Sequence, residues 1–290
     1  MTVSSGLTWN FAIRTNSKND SDNHGATFNE VRAYQDVELQ TSLGARIPGS
    51  QAHQQTSEWI ENELLANGWD VQIQDAIVGE FQIKNIIGKK GGGRPWIIIG
   101  AHYDSRIFAD KDPVLENRLN AVPGANDGAS GVAVLLEIGR ILDHRGKLGT
   151  ISLAFFDAED NGNIGNRSWI MGSQYYVDTL TMLPDRVVIL DMVGDRDLGI
   201  YQEKNSDMEL TQEIWDTAKQ LGFGNSFISE AKYRIIDDHL PFIVKGVAAV
   251  DIIDFEYPYW HTTMDTADKV AASSLKIVGN TILTWLENEQ

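Results

Sequence analysis

The chain has 290 residues, with 24 lysines and arginines against 41 aspartates and glutamates, a formal charge of −17. Such a surface repels a phosphate backbone instead of displacing its counterions, which argues against a nucleic-acid partner. Apolar residues at 42% and charged residues at 22% exclude a disordered chain, and the absence of cysteine excludes disulfides, thiolate nucleophiles and sulfur-ligated metals.

Residues 1–25 mix Ser, Asn, Asp and Lys without a sustained period and read as an arm that orders only on docking. No apolar signal core occurs there, and no later segment reaches the roughly 18 uninterrupted apolar residues of a membrane-spanning helix. Apolar positions at helical spacing predict helices over Thr27–Leu43 and Gln51–Asn67, the second closed by Gly68. Alternation predicts strands over Asp70–Ile77 and Phe81–Ile87, then a hairpin-like turn at Lys89–Gly93 and a strand over Trp96–Ala101. The triple glycine in that turn lacks the Gly-Lys-Ser/Thr ending of a phosphate loop. Helices are expected over Ala129–His144, Ser168–Leu180, Met208–Leu221 and Ser273–Glu287. Buried strands are expected over Thr150–Phe156, Val187–Leu190 and Val247–Ile253.

This alternation implies an α/β three-layer sandwich, a central mixed and mostly parallel twisted sheet flanked by helices. No linker or repeat divides it, so residues 26–290 are expected to form one catalytic α/β domain behind the arm.

Ligands of open α/β sheets collect where strands end and loops begin. That filter selects His102 and Asp104, Glu159 and Asp160, Asp191, and the Trp260-His261 pair, with Asp127 just ahead of the Ala129 helix. Each has a plainer role available. Asp127 can cap its helix, a lone histidine such as His102 or His261 is more often a satisfied polar residue than a ligand, the class in which His24, His53 and His144 stay, and Asp104 can be a solvated loop carboxylate. Glu159-Asp160 is harder to dismiss. Two adjacent carboxylates directly after the apolar run Ile151–Phe156, with no Lys or Arg within five residues, call for a cation. Carboxylate and imidazole without sulfur suit zinc with an open coordination position, and the carboxylate left unligated becomes the acid or base. Glu159 and Asp160 divide those two roles. Asp104, two residues from His102, can orient it.

At these residues the sequence resembles the zinc aminopeptidase and glutaminyl cyclase superfamily. The likeness rests on seven ordered motifs: Ala45–Ser50, Ala101–Arg106, Pro123–Gly131, Phe155–Asp160, Leu190–Gly194, Asp237–Phe242 and Trp260–Thr266. Within the superfamily it runs to the bacterial glutaminyl cyclases, through Asp157-Ala158-Glu159-Asp160, the Ser168–Tyr175 segment, Asp237-Asp238 and the Tyr259–Thr263 run. The resemblance implies zinc on Asp127, Asp160 and His261, with Glu159 as proton shuttle and Asp237 holding the leaving group or the shuttle. It makes His102 and Asp191 either ligands of a second metal, as in the peptidases, or members of a hydrogen-bond network, as in the cyclases. The implied reaction turns the N-terminal Gln of a peptide or protein into pyroglutamate with loss of ammonia. The peptidase alternative removes the N-terminal residue with two zinc ions. Trp260 and Trp169 are candidate pocket walls, although large aromatics at strand ends also pack simply as core. Action outside the cytoplasm, in the periplasm or after secretion, follows weakly from the same likeness, and oligomeric state is not legible.

Overall fold

The computed structural model describes residues 27–142 and 149–289. The expected N-terminal arm, together with His24 and His144, lies outside them.

Ile97, Ile98 and Ile99 are all buried, a run that only a strand covered on both faces tolerates. They sit in β3 (Trp96–His102), the third strand in chain order after β1 (Asp70–Val78) and β2 (Phe81–Gly91). With β4 (Thr150–Phe156), β5 (Arg186–Asp191) and β8 (Ala248–Ile253) these form a six-stranded sheet of order β1-β2-β4-β3-β5-β8. The β4, β3, β5 and β8 strands run parallel, while β1 and β2 add antiparallel strands at one edge. The sheet is therefore mixed and mostly parallel, as the sequence pattern implies.

One expectation fails. The Lys89–Gly93 turn does not close a hairpin, because β2 pairs with β4, and β3 lies on the far side of β4. A local turn signal fixes where the chain bends but not which strand it returns beside, and here a partner some 60 residues later takes the place between.

Alternate residues of the central strands feed two cores. Ile97, Ile99, Leu153, Phe155, Val188 and Leu190 pack beneath α1 (Glu30–Leu43), α2 (Gln51–Ala66), α3 (Ala129–Ile141) and α7 (Ala272–Asn288), where α5 (Met208–Gln220) also packs. Ile98, Ala154, Phe156, Val187 and Ile189 meet α4 (Met171–Thr179) and the short α6 (Leu240–Val244) on the other face. The third helix stops at Ile141 with Leu142 in extended backbone, earlier than its apolar period suggests. The fourth starts at Met171 because Ile170 adopts a left-handed φ of 54°, which leaves Trp169 in the preceding loop. Two short strands, β6 (Ile200–Gln202) and β7 (Phe227–Ala231), pair in a separate ribbon that has no counterpart among the sequence expectations.

The approach of α3 to the sheet is unusually close. A Cβ on Gly131 would lie 2.3 Å from the Leu190 carbonyl oxygen and 2.9 Å from the Ala101 Cβ. Gly131→Ala is therefore expected to push the helix off β3 and β5, with a loss of about 1–3 kcal/mol of stability, read as a lower denaturation midpoint with unchanged slope.

Candidate metal centre

β3 lies between β4 and β5. The chain leaves it through α3 on one face and returns through α4 on the other, so a crevice opens above its carboxyl end. His102 ends β3, Glu159 and Asp160 follow β4 by three and four residues, and Asp191 ends β5. Asp127 reaches the same rim from the turn before α3, and His261 from the loop after β8.

Asp127 does not cap its helix. Gly128 occupies the cap position at φ 91° without a side-chain bond, and a Cβ there would meet the Asp104 carbonyl oxygen at 2.8 Å and the His102 ring at 3.1 Å. The Asp127 carboxylate is thereby free to turn inward. Its backbone N–H, like that of Asn126, donates to the Asp265 carboxylate, at 3.2 and 2.8 Å, and Asp265 is held in turn by the Tyr257 hydroxyl at 2.7 Å. Arg46 donates from below to the Pro123 and Gly124 carbonyls at 2.9 and 2.5 Å.

Two trios of ligand atoms share Asp127, each trio lying within 4.8 Å: Asp127, Asp160 and His261, and His102, Asp127 and Asp191. In the first, His261 Nε2 is 2.8 Å from Asp160 Oδ1 and 3.8 Å from Asp127 Oδ2. These spacings bracket the roughly 3.3 Å between neighbouring ligands of a tetrahedral zinc whose bonds are about 2.0–2.2 Å. Oδ2 of both Asp127 and Asp160 is buried without any hydrogen-bond partner. Buried unpaired carboxylate oxygens are costly, so this donor set fits a bound dication. In the second trio His102 Nε2 lies 3.1 Å from Asp127 Oδ1 and 3.2 Å from Asp191 Oδ1. Asp191 contributes no buried unpaired oxygen.

The cation that the sequence does not place near Glu159-Asp160 arrives from the loop after β3. Arg106 Nη1 donates to the Asp160 carbonyl at 2.7 Å and lies 3.9 Å from its Oδ1. Yet Arg106 is clamped in a bidentate pair with Asp110, at 2.8 and 2.9 Å, so its charge is largely spent. Asp104 approaches His102 Nδ1 at 3.4 Å. Its carboxylate also accepts the backbone N–H groups of Glu159 and Asp160 at 3.0 and 3.3 Å, which fixes the turn presenting both side chains.

The electrostatics follow from crowding. Burial raises the Asp160 pKa to about 6, reinforced by Asp127, and burial raises Asp191 to about 7, with Asp237 and Asp127 adding to it against His102. Burial alone would lower the His261 pKa, but Asp160, Asp110 and Asp127 outweigh it and hold the ring up to about 9. Glu159 is raised well above the carboxylate range, first by burial and then by Asp237, Asp160 and Asp238.

Behind Glu159 lies a buried group of which only Asp237 is among the sequence-selected candidates. Asp237, His239 and Asp251 form a third trio, and Glu203 Oε2 stands 3.2 Å from His239 Nε2. Asp237 sits at its inner edge, where its Oδ1 accepts the Asp238 N–H. Asp251 lies in the middle of β8, where a carboxylate reads as part of an ordinary strand, and Glu203 follows the missed β6.

Trp169 and Trp260 both pack near the His261 ring. The Trp169 ring stacks on it at 6.1 Å and 12°, and the Trp260 ring centroid is 3.8 Å away. Both line a cavity of about 480 Å³ together with Arg106, Phe108 and Lys111. Trp169 also carries the Arg106 guanidinium 4.9 Å above its ring.

A family model described as peptidase family M28 matches residues 85–286, well over half of the chain. The chain belongs to peptidase family M28. Among solved structures, this M28 protein is similar to a glutaminyl cyclase from Tannerella forsythia, with 33% identity and a TM-score of 0.86 over 91% of this chain and 100% of that one. It is equally similar in fold to a Zn-dependent exopeptidase from Parabacteroides distasonis, at 30% identity and TM-score 0.86, with 91% and 100% covered. A glutaminyl-peptide cyclotransferase-like protein of Bos taurus is 24% identical over 267 residues, covering 79% of this chain and 68% of that protein. Zinc is the metal that this company implies.

Proposed function

We propose that this M28 protein is a zinc-dependent glutaminyl cyclase that converts the N-terminal glutamine of peptides to pyroglutamate and releases ammonia. The observation that carries this reading is the contrast between the two trios. Asp127, Asp160 and His261 leave unpaired oxygens for one dication, whereas His102 bridges Asp127 and Asp191 directly and no buried oxygen of Asp191 is left over. One cation suffices for ring closure, because no water has to be activated between two metals.

Asp127, Asp160 and His261 would hold the zinc, whose chemistry when bound is to polarise the γ-carbonyl of the glutamine. Glu159, buried beside that position, takes a proton from the α-amine as its nitrogen attacks the amide carbon, and returns it to the departing nitrogen as the C–N bond breaks. A carboxyl whose pKa is driven up by burial can give back the proton that it takes. Asp237 and Asp191 hold the amine and leaving nitrogen by hydrogen bonds. Trp169 and Trp260 fix the glutamine side chain in a near-attack geometry, which is most of what an intramolecular reaction requires. The family likeness also carries a proposed location outside the cytoplasm, and among the described residues no helix is long and apolar enough to cross a membrane.

The test is a coupled ammonia assay on a Gln-dipeptide, beside metal analysis of the same zinc-loaded sample. Ammonia release with one zinc per chain is expected. Free amino acid released from Leu- or Ala-peptides, with two zinc ions per chain, would replace this reading with the aminopeptidase one.

A further inference from the structure

We propose that Lys111 makes the site selective for peptides with an acidic side chain immediately after the N-terminal glutamine. This rests on the cyclase reading, since it needs the glutamine seated between Trp169 and Trp260 with the second residue leaving past them.

Lys111 lines the same cavity and is exposed, with its ammonium 5.8 Å above the Trp260 ring. Its backbone is pinned on both sides. The Lys111 N–H donates to the His261 carbonyl at 3.2 Å. The preceding Asp110 is clamped to Arg106 and lies 3.3 Å from His261 Nδ1. The following Asp112 is buried, accepting from the Thr263 N–H at 3.0 Å and the Val114 N–H at 2.9 Å. The chain thus presents Lys111 at a fixed point of the mouth while its side chain stays free.

Its charge is also unspent. The other cation lining the cavity, Arg106, is paired with Asp110, whereas no carboxylate of the described residues lies within ion-pair distance of the Lys111 ammonium. A substrate chain emerging along Trp260 meets this ammonium first. An acidic side chain there forms a half-exposed ion pair, for which about a 3–5-fold gain is expected. The overall charge of −17 favours the opposite order, because a general field attracts cationic peptides. That field is screened beyond about 8 Å at physiological salt, so the ranking of substrates separates the local lysine from the global charge.

The experiment compares kcat/KM of the zinc-loaded enzyme on amidated peptides of equal length beginning Gln-Glu, Gln-Ala and Gln-Lys, at 0.15 M salt. The expected order is Glu above Ala above Lys, with steps of about 3–5-fold. Lys111→Gln should collapse the ratios toward one, and Lys111→Glu should invert them. Turnover of Gln-Ala with a flat or reversed order in the wild type overturns the role of Lys111 and leaves the cyclase reading intact. The same holds if ratios survive in Lys111→Gln. Failure to cyclise any of the three peptides overturns the cyclase reading, and this selectivity with it.

Discussion

Glu159→Gln is expected to lower kcat on a Gln-peptide by about 10²–10⁴-fold, the usual span of general acid–base catalysis, while the zinc content stays at that of the wild type. The amide keeps the size of the carboxyl and its place in the turn, because Asp104 holds that turn through the backbone N–H groups of residues 159 and 160. It cannot carry a proton. Glu159 belongs to neither trio of ligand atoms around Asp127, so metal binding has no direct claim on it. Substrate affinity should change much less than kcat, since the lost interaction is made while protons move. Steady-state kinetics beside metal analysis of one preparation reads both quantities. Near-wild-type kcat would remove Glu159 from the reaction, and loss of zinc would instead make it a structural neighbour of the ligands.

What the sequence made legible divides by range. Continuous apolar runs such as Ile97–Ile99 and Ile151–Phe156 announce buried strands because both faces must be covered, and the carboxyl ends of those strands place His102, Glu159, Asp160 and Asp191 at one rim. The sequence alone leaves Asp127 open between cap and ligand, whereas in the fold Gly128 holds the cap position. Strand order was not legible, because β4 inserts between β2 and β3 through pairings that leave no local trace. The same limit hid the counter-charges. Arg106 lies over 50 residues from Asp160, so a search within five residues of the carboxylates misses a cation bonded to the Asp160 backbone. The Glu203–His239–Asp251 group escaped for a related reason: Glu203 and Asp251 sit in unremarkable stretches, His239 stands in a recognised motif without a chemical signal of its own, and only folding gathers them behind Asp237. Short elements such as β6 and α6 carry too few residues to show a period.

The Ala45–Ser50 motif shows what such long-range contacts are worth. It was recognisable by its residues, yet it offers no ligand and no proton donor of ordinary pKa. In the fold, Arg46 is fully buried and acts as a peg through four carbonyls. Its guanidinium donates to Tyr103, Pro123 and Gly124 at 2.9, 2.9 and 2.5 Å, and reaches the Asp127 carbonyl at 3.4 Å. Burial pulls its pKa down, while the carboxylates of Asp265, Asp104, Asp127 and Asp160 pull it back up. An arginine stays charged under such conditions, so Arg46 supplies a fixed positive charge beneath the acidic rim. It also locks the 123–128 turn from which Asp127 projects. Arg46→Met keeps the length of the side chain and removes both contributions, leaving buried carbonyls unpaired and buried carboxylates less compensated. The expected loss is about 3–5 kcal/mol, a large part of the roughly 5–15 kcal/mol that holds a domain folded, with Tm lower by about 10 °C. Because the turn positions a ligand, zinc affinity should fall as well, by about 10–100-fold, as when a partner that orients a ligand is lost. Arg46→Lys restores charge without the planar fork, so it should recover part of the stability and less of the zinc affinity. Thermal unfolding and competitive zinc chelation on the wild type and both variants separate the contribution of charge from that of geometry.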